Sequence, residues 1–474
     1  MGKRIAVIGA GPGGYVAAIN AARLGGDITL IERENAGGTC LNWGCIPSKI
    51  LKTTSDLVDR LHRASEFGIE TSGDFSVDMD SLMARKDNVI KSQVRSLENL
   101  FKTKNIRYLK GKSRIKAEGL LEVEYDDGTL KELGWDSLIL APGSAPLPMP
   151  EIPFDGTRIL SSDHALELRS VPSSLLVVGG GVIGCEFASI YSSLGARVTI
   201  VEAMDRILPL PSVDEACSKV IQREMKKKKI SYYLEHIVQV AGPSAETVEV
   251  EVLPFKRQKA KGREPVSLRF EKILVCIGRG PATDGLGLER LGIEVDEKGW
   301  VKSDAFMETS FPGVFAIGDV LGPEKIMLAH CASAEALVAS ENAMGGRKKM
   351  DYSGIPGAIF TTPEIANVGL TDRQASEKGY DASSETVLFR VLGKAQAMGD
   401  IAGQAKVIWD RGTGKILGVH LIGPHATDLI GEACLAVKSG CTMEDLAATV
   451  HAHPTLCEIM TEVAQKALGR AVHG

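Results

Sequence analysis

The feature that most constrains this chain is an internal duplication. Residues 4–32 read RIAVIGAGPGGYVAAINAARLGGDITLIE, and residues 174–202 read SLLVVGGGVIGCEFASIYSSLGARVTIVE. Each copy is an apolar run, a glycine turn, a stretch of small residues and a second apolar run ending in glutamate. The glycines are Gly9, Gly11 and Gly14 in the first copy and Gly179, Gly181 and Gly184 in the second. Glu32 and Glu202 each lie 23 positions after the first glycine of their copy. A strand–turn–helix–strand unit that meets a pyrophosphate needs this arrangement. The first glycine turns the chain tightly, the second lets the backbone approach the phosphates, and the third lets helix and strand pack closely. The helix N-terminus offers free N–H groups and a favourable dipole. The closing carboxylate accepts hydrogen bonds from a ribose diol. Two copies imply two dinucleotides and an α/β fold with two Rossmann-like units.

Two dinucleotides in one chain are what a flavoprotein needs: FAD held permanently and a nicotinamide that visits. The run TSFPGVFAIGDV at 309–320 assigns them. Its apolar strand leads to Asp319, placed to bond a sugar-alcohol chain, and of the two cofactors only FAD has one. The first copy is therefore expected to hold FAD and the second NAD. Glu202 suits a free 2′-hydroxyl and repels a 2′-phosphate, which favours NAD over NADP. Arg206, four positions on, works against that preference.

Length and charge set broader bounds. A chain of 474 residues suggests about three domains. A formal net charge of -5 gives no electrostatic case for nucleic acid. The basic run KKKK at 226–229 reads as the wet face of a helix, and KRQKAKGR at 256–263 as a surface hairpin. No apolar stretch approaches the ~20 residues of a membrane helix. The start MGKRIAVIGAGPGG superficially resembles a signal peptide, but IAVIG is too short and reads as a buried strand beginning near residue 4. A cytoplasmic protein without membrane association is the default expectation.

Nine cysteines in a chain this long do not look like a secreted disulfide framework. One pair has suggestive spacing: Cys40 and Cys45, in GGTCLNWGCIPSK at 37–49. A zinc site commonly needs a second pair of ligands, which is absent here, and no metal is expected. A structural disulfide fits a cytosolic protein poorly, and two merely buried thiols remain as a bland alternative. The redox reading has local support. Pro47 suits the first turn of a helix running through residues 46–64. That places Cys45 at the helix N-terminus, where the dipole favours a thiolate, with Lys49 one turn on. Cys40 is expected in the preceding loop, better exposed to an incoming substrate.

GGTCLNWGCIPSK resembles the active-site motif of the class I pyridine nucleotide–disulfide oxidoreductases, and CLN-x-GCIPSK looks most like their dihydrolipoamide dehydrogenase branch. The C-terminal run HAHPTLCE carries a second signal. A residue before proline is kept out of a helix, so Pro454 is expected to start one, with Glu458 reaching back to His453. An imidazole oriented by a carboxylate suits a general base near neutral pH. From the residues alone, His453 reads equally as a packed or capping histidine, and His451 competes with it. The resemblance, which spans essentially the whole chain, favours His453 as base, supplied with Glu458 by the other subunit of an obligate homodimer.

The same resemblance pairs Glu186 with Lys49 beside nicotinamide and flavin. It places Gly143 of APGSAP and Gly278 of CIGRGPAT at the cofactor-bearing turns, and MLAHCASAEA along the flavin. It divides the chain into an FAD-binding domain (1–148), an NAD-binding domain (149–274), a central domain completing the FAD site (275–348) and a C-terminal α+β dimerisation domain (349–474). The implied activity is oxidation of dihydrolipoyl groups on a lipoyl-bearing protein, with NAD as acceptor. Reduction of another disulfide or of a metal ion in the opposite direction is the rival, and a docking scaffold the rival of another class. Departures from the family pattern are Trp43, Gly280, Ala282, Ala336 and Cys457. Trp43 bears on access to the cysteines.

Overall fold

In the computed structural model, which describes residues 2–70, 75–243, 247–255 and 265–473, the apolar runs of the first copy lie side by side. The strand Arg4–Ile8 pairs in parallel with Asp27–Glu32 on one side and Ser137–Leu140 on the other. Uninterrupted apolar runs suit a parallel sheet buried on both faces. Val7, Leu30, Leu138 and Leu140 are each 0% exposed, and each contributes about 1.5–3 kcal/mol by burial. Arg107–Lys110 and Val314–Ala316 form the two edges of this five-stranded sheet. The helix Pro12–Arg23 packs against Ala329–Ala343, and its Ala17, Ala18 and Ala21 are fully buried. A buried hydrogen bond from Asn20 Nδ2 to Ser340 Oγ, 2.7 Å, fixes their register.

The second copy builds an equivalent sheet. Ser174–Val178 pairs in parallel with Arg197–Glu202 and Lys272–Val275, and Ser231–Leu234 and Ile159–Leu160 lie outside them. This unit is inserted between two strands of the first sheet, Ser137–Leu140 and Val314–Ala316. The chain leaves and returns through a short antiparallel pair, Ser144–Pro146 with Arg279–Pro281. Two antiparallel three-stranded sheets complete the dinucleotide-binding half.

The C-terminal segment forms a five-stranded antiparallel sheet in the order Gly357–Ile359, Glu364–Gly369, Ile416–Gly423, Gln404–Asp410, Ala382–Leu388. The helices Ala426–Ser439 and Glu458–Ala467 pack on it. The architecture is thus α/β with two dinucleotide-binding units and an α+β C-terminal part. The lysine run departs from expectation. It closes the helix Glu215–Lys227 rather than forming a face, and Lys228 is tied to Asp59 and Ser193. The basic cluster at 256–263 lies outside the described residues. Among the described residues, no helix is long and apolar enough to cross a membrane.

Candidate active site

The two glycine turns are built alike. Gly9 and Gly179 have φ of +96° and +107°, which a side chain rarely adopts. A methyl group on Gly14 would lie 1.8 Å from the Gly9 carbonyl oxygen, and one on Gly184 2.0 Å from that of Gly179. The first and third glycines therefore serve chain geometry. The second pair differs. A methyl on Gly11 would meet nothing closer than 4.0 Å, and one on Gly181 nothing within 4 Å. That open space above the helix N-terminus is the cradle a pyrophosphate requires. The carboxylates do more than expected, because each first ties down its own turn. Glu32 accepts the N–H of Ala10 at 2.7 Å and of Glu34 at 2.9 Å. Glu202 accepts that of Gly180 at 2.6 Å and of Met204 at 2.8 Å. Each oxygen keeps acceptor capacity for a ribose hydroxyl. Arg206 does not oppose this, since its guanidinium is spent on Leu210, Val213 and Ser218.

A cavity of ≈1530 Å³ runs from the first turn past the cysteines to the N-terminus of the helix Val182–Ser193. Gly9, Gly11, Glu32, Cys40, Cys45, Lys49, Gly143, Glu186 and Asp319 all line it. Gly14 packs beneath its turn. Gly179, Gly181, Gly184, Glu202 and Gly278 lie off the wall, although Val182 and Ile183 bring the second turn's helix onto it. Two dinucleotides fit this set of open turns and carboxylates. Among the described residues, no cluster of three or more His, Cys, Asp or Glu is placed to hold a metal.

The cysteines are free thiols. Cys45 begins the helix Cys45–His62, as its position before Pro47 predicts. Cys40 does not sit in a loop. It belongs to a short helix, Gly38–Trp43, started by Gly37 in the left-handed region and ended at Gly44. Taken as whole residues, Cys45 is exposed and Cys40 half-buried, and both line the cavity. Their acidities diverge. Cys45 is lowered to about 7, chiefly by a hydrogen bond from the Cys40 thiol, with Lys49 helping against burial and Glu186. Cys40 is pushed far up as that bond's donor.

Around them, Lys49 Nζ meets Glu186 Oε2 at 2.8 Å across 137 residues of sequence. Phe360 joins this pair, and sequence reasoning missed it. Its N–H donates to Glu186 Oε1 at 2.9 Å, and Lys49 Nζ sits 4.1 Å from its ring centroid. Asp319 lies in a turn just after Val314–Ala316. Ser144 donates to it at 2.6 Å while accepting from Arg279 Nε at 2.7 Å, which orients the carboxylate. Both residues lie in motifs singled out for their glycines, but nothing in their spacing marks the contact.

The histidines separate cleanly. His451 is 8% exposed and bonded on both nitrogens, to Thr461 and Glu432. His453 is 76% exposed, with Nδ1 2.8 Å from Glu458 Oε1. A carboxylate only accepts, so Nδ1 carries a proton, and the neutral ring's acceptor nitrogen is Nε2. The helix does not start at Pro454. It runs Glu458–Ala467, because the Glu458 carboxylate takes the Thr455 N–H at 2.9 Å and ties off the preceding turn. Burial pushes the Glu458 pKa up, but the hydrogen bonds from His453 and Thr455 outweigh it and leave it below the usual carboxylate value. His453 and Glu458 are absent from the cavity wall of their own chain.

Comparison with known proteins agrees with this geometry. Residues 3–336 match the family model described as pyridine nucleotide-disulphide oxidoreductase, and residues 355–464 match that family's dimerisation domain. The chain is 39% identical over 469 residues to dihydrolipoyl dehydrogenase of Chlamydia muridarum, covering 98% of this chain and 97% of that one. It is 38% identical over 475 residues to the enzyme of the same name from Halobacterium salinarum, covering 100% and 98%. The crystal structure of LpdA from Mycobacterium tuberculosis superposes with a TM-score of 0.89 at 26% identity, covering 98% and 99% of the two chains. The chain belongs to the pyridine nucleotide-disulphide oxidoreductase family, as a flavoprotein disulfide oxidoreductase that uses FAD and NAD.

Proposed function

We propose that this protein oxidises protein-bound dihydrolipoyl groups to the cyclic disulfide, with NAD as electron acceptor. The observation that carries the reading is the unequal cysteine pair. Cys45, lowered to about 7, is a good leaving thiolate, and Cys40 is the sulfur left for attack. The relatives' shared name, over essentially the full chain, supports lipoyl as the donor. We assign FAD to the first unit and NAD to the second, and divide the chain at 148, 274 and 348 as the motifs imply. The dimerisation domain supports a homodimer, and the distance of His453 from its own cavity wall supports sharing of sites between subunits.

In the first step, His453 Nε2 of the partner subunit takes a proton from one dihydrolipoyl thiol. The thiolate attacks Cys40 Sγ of the Cys40–Cys45 disulfide and expels Cys45 as thiolate. The second substrate thiol gives up its proton to Cys40 as it attacks the mixed disulfide. Lipoyl disulfide leaves, and the electron pair stays on Cys40 and Cys45. FAD, held by the first unit, would supply the two-electron chemistry that links this dithiol to NAD. Lys49, held by Glu186, keeps positive charge beside the Cys45 thiolate throughout. Anaerobic titration with dihydrolipoamide followed by NAD tests the reading. The flavin spectrum should change with the first addition and return with the second, and Cys45→Ser should abolish both. A flavin reduced by NADH but unresponsive to dihydrolipoamide would refute lipoyl as donor.

A further inference from the structure

Phe360 touches both members of the ion pair that serves the cysteines, yet it comes from a different part of the molecule. It follows directly on the strand Gly357–Ile359, inside the segment matching the dimerisation domain. That segment is anchored on both sides. The Pro356 carbonyl is bonded to the His330 ring at 2.8 Å, and Glu364 accepts from the N–H and hydroxyl of Thr427 at 3.1 and 2.6 Å. Thr361 between them is fully buried. The ring is thus presented from a rigid support, beneath an ammonium group that would otherwise have Glu186 and Ser48 as its polar partners. A cation over an aromatic face is drawn to it, more strongly where water is partly excluded.

We propose that Phe360 is a positioning residue for the redox site: its ring and its N–H together fix the Lys49–Glu186 pair at the place where it acts on Cys45. The C-terminal sheet thereby sets the electrostatics of a thiolate in the first unit of the same chain. The groups acting on Cys45 are Cys40, Lys49 and Glu186, and Phe360 contacts the last two. Without the ring, Lys49 moves off and Glu186 remains, so the thiolate becomes less favoured.

The inference rests on Cys40–Cys45 being the redox pair, and the test separates the two ideas. In FAD-loaded full-length protein carrying Cys40→Ser, Cys45 is the only thiolate able to give a long-wavelength charge-transfer band with flavin, so the band's pH midpoint reads its ionisation. Phe360→Leu should raise that midpoint by about half a unit, about a threefold fall in the thiolate-to-thiol ratio, while Phe360→Tyr leaves it unchanged. Phe360→Met, similar in volume to leucine but unbranched, should repeat the leucine result and serves if leucine impairs folding. Equal midpoints for Phe, Tyr, Leu and Met would overturn the role of the ring. Absence of the band at every pH with Phe360 intact would overturn the redox pairing and this proposal with it.

Discussion

Gly181 and Gly184 are three positions apart in one turn, and the structure requires opposite outcomes when each becomes alanine. At Gly184 the new methyl lies 2.0 Å from the Gly179 carbonyl oxygen. Ordinary contact needs about 3.5 Å, so the helix Val182–Ser193 must retreat by more than an ångström. Overpacking of this kind costs about 1–3 kcal/mol, and at about 2–4 °C per kcal/mol the unfolding midpoint falls by several degrees. At Gly181 the methyl meets nothing within 4 Å, and the backbone, at φ -75°, is open to alanine. Alanine caps a helix less well than glycine but loses less chain entropy on folding, about 0.4–1 kcal/mol, so stability changes little. The methyl instead occupies the space we assign to the NAD pyrophosphate. If displacing the phosphates costs about 1.4–2.8 kcal/mol, NAD binds about ten- to a hundredfold more weakly. The assays are differential scanning fluorimetry of the FAD-loaded protein and KM for NAD. Gly181→Ala lowering the midpoint as far as Gly184→Ala, or leaving KM for NAD unchanged, would refute the division of labour among the three glycines.

Two further outcomes follow from the geometry. His453→Gln should leave flavin content and thermal stability unchanged, because the glutamine amide can still donate to Glu458, while slowing thiol–disulfide exchange by about 10²–10⁴-fold in stopped-flow measurements near neutral pH. Asp136 is held at about 2 by the Arg4 guanidinium and backbone N–H, which tie the first strand to the sheet. A depressed carboxylate contributes stability above its unfolded value near 4 and loses it as pH falls through about 2. Asp136→Asn should therefore be less stable than the parent to urea at pH 7, with the difference shrinking between pH 4 and 2.

What the sequence disclosed depended on how local the physics is. The glycine turns announce themselves because Gly9 and Gly179 answer to their own backbone angle, and Gly14 and Gly184 to a carbonyl in the same turn. Cys45 at a helix start was readable from Pro47 for the same reason. The relative exposure of the two cysteines was not, because it depends on a cavity assembled from segments as distant as residues 9 and 360. Lys49 with Glu186 was reached through family resemblance, since no spacing rule spans 137 residues. Phe360 gave no signal at all: an aromatic residue after a short strand reads as core. Pro454 misled in the other direction, because a carboxylate four residues later supplies the turn that proline alone would have opened.

The short antiparallel neck between Ser144–Pro146 and Arg279–Pro281 has a consequence for how the molecule is made. The first sheet lacks its last strand until residue 316 has left the ribosome, whereas every strand of the inserted unit has emerged by residue 275. The inserted unit completes its sheet first and holds the neck closed while its host waits. The same connection makes it a cassette. Exchanged between residues 147 and 278, it would change nucleotide preference while leaving the cysteines, Lys49 and the dimer-forming sheet in the host, provided the incoming unit carries a glutamate at the place of Glu186.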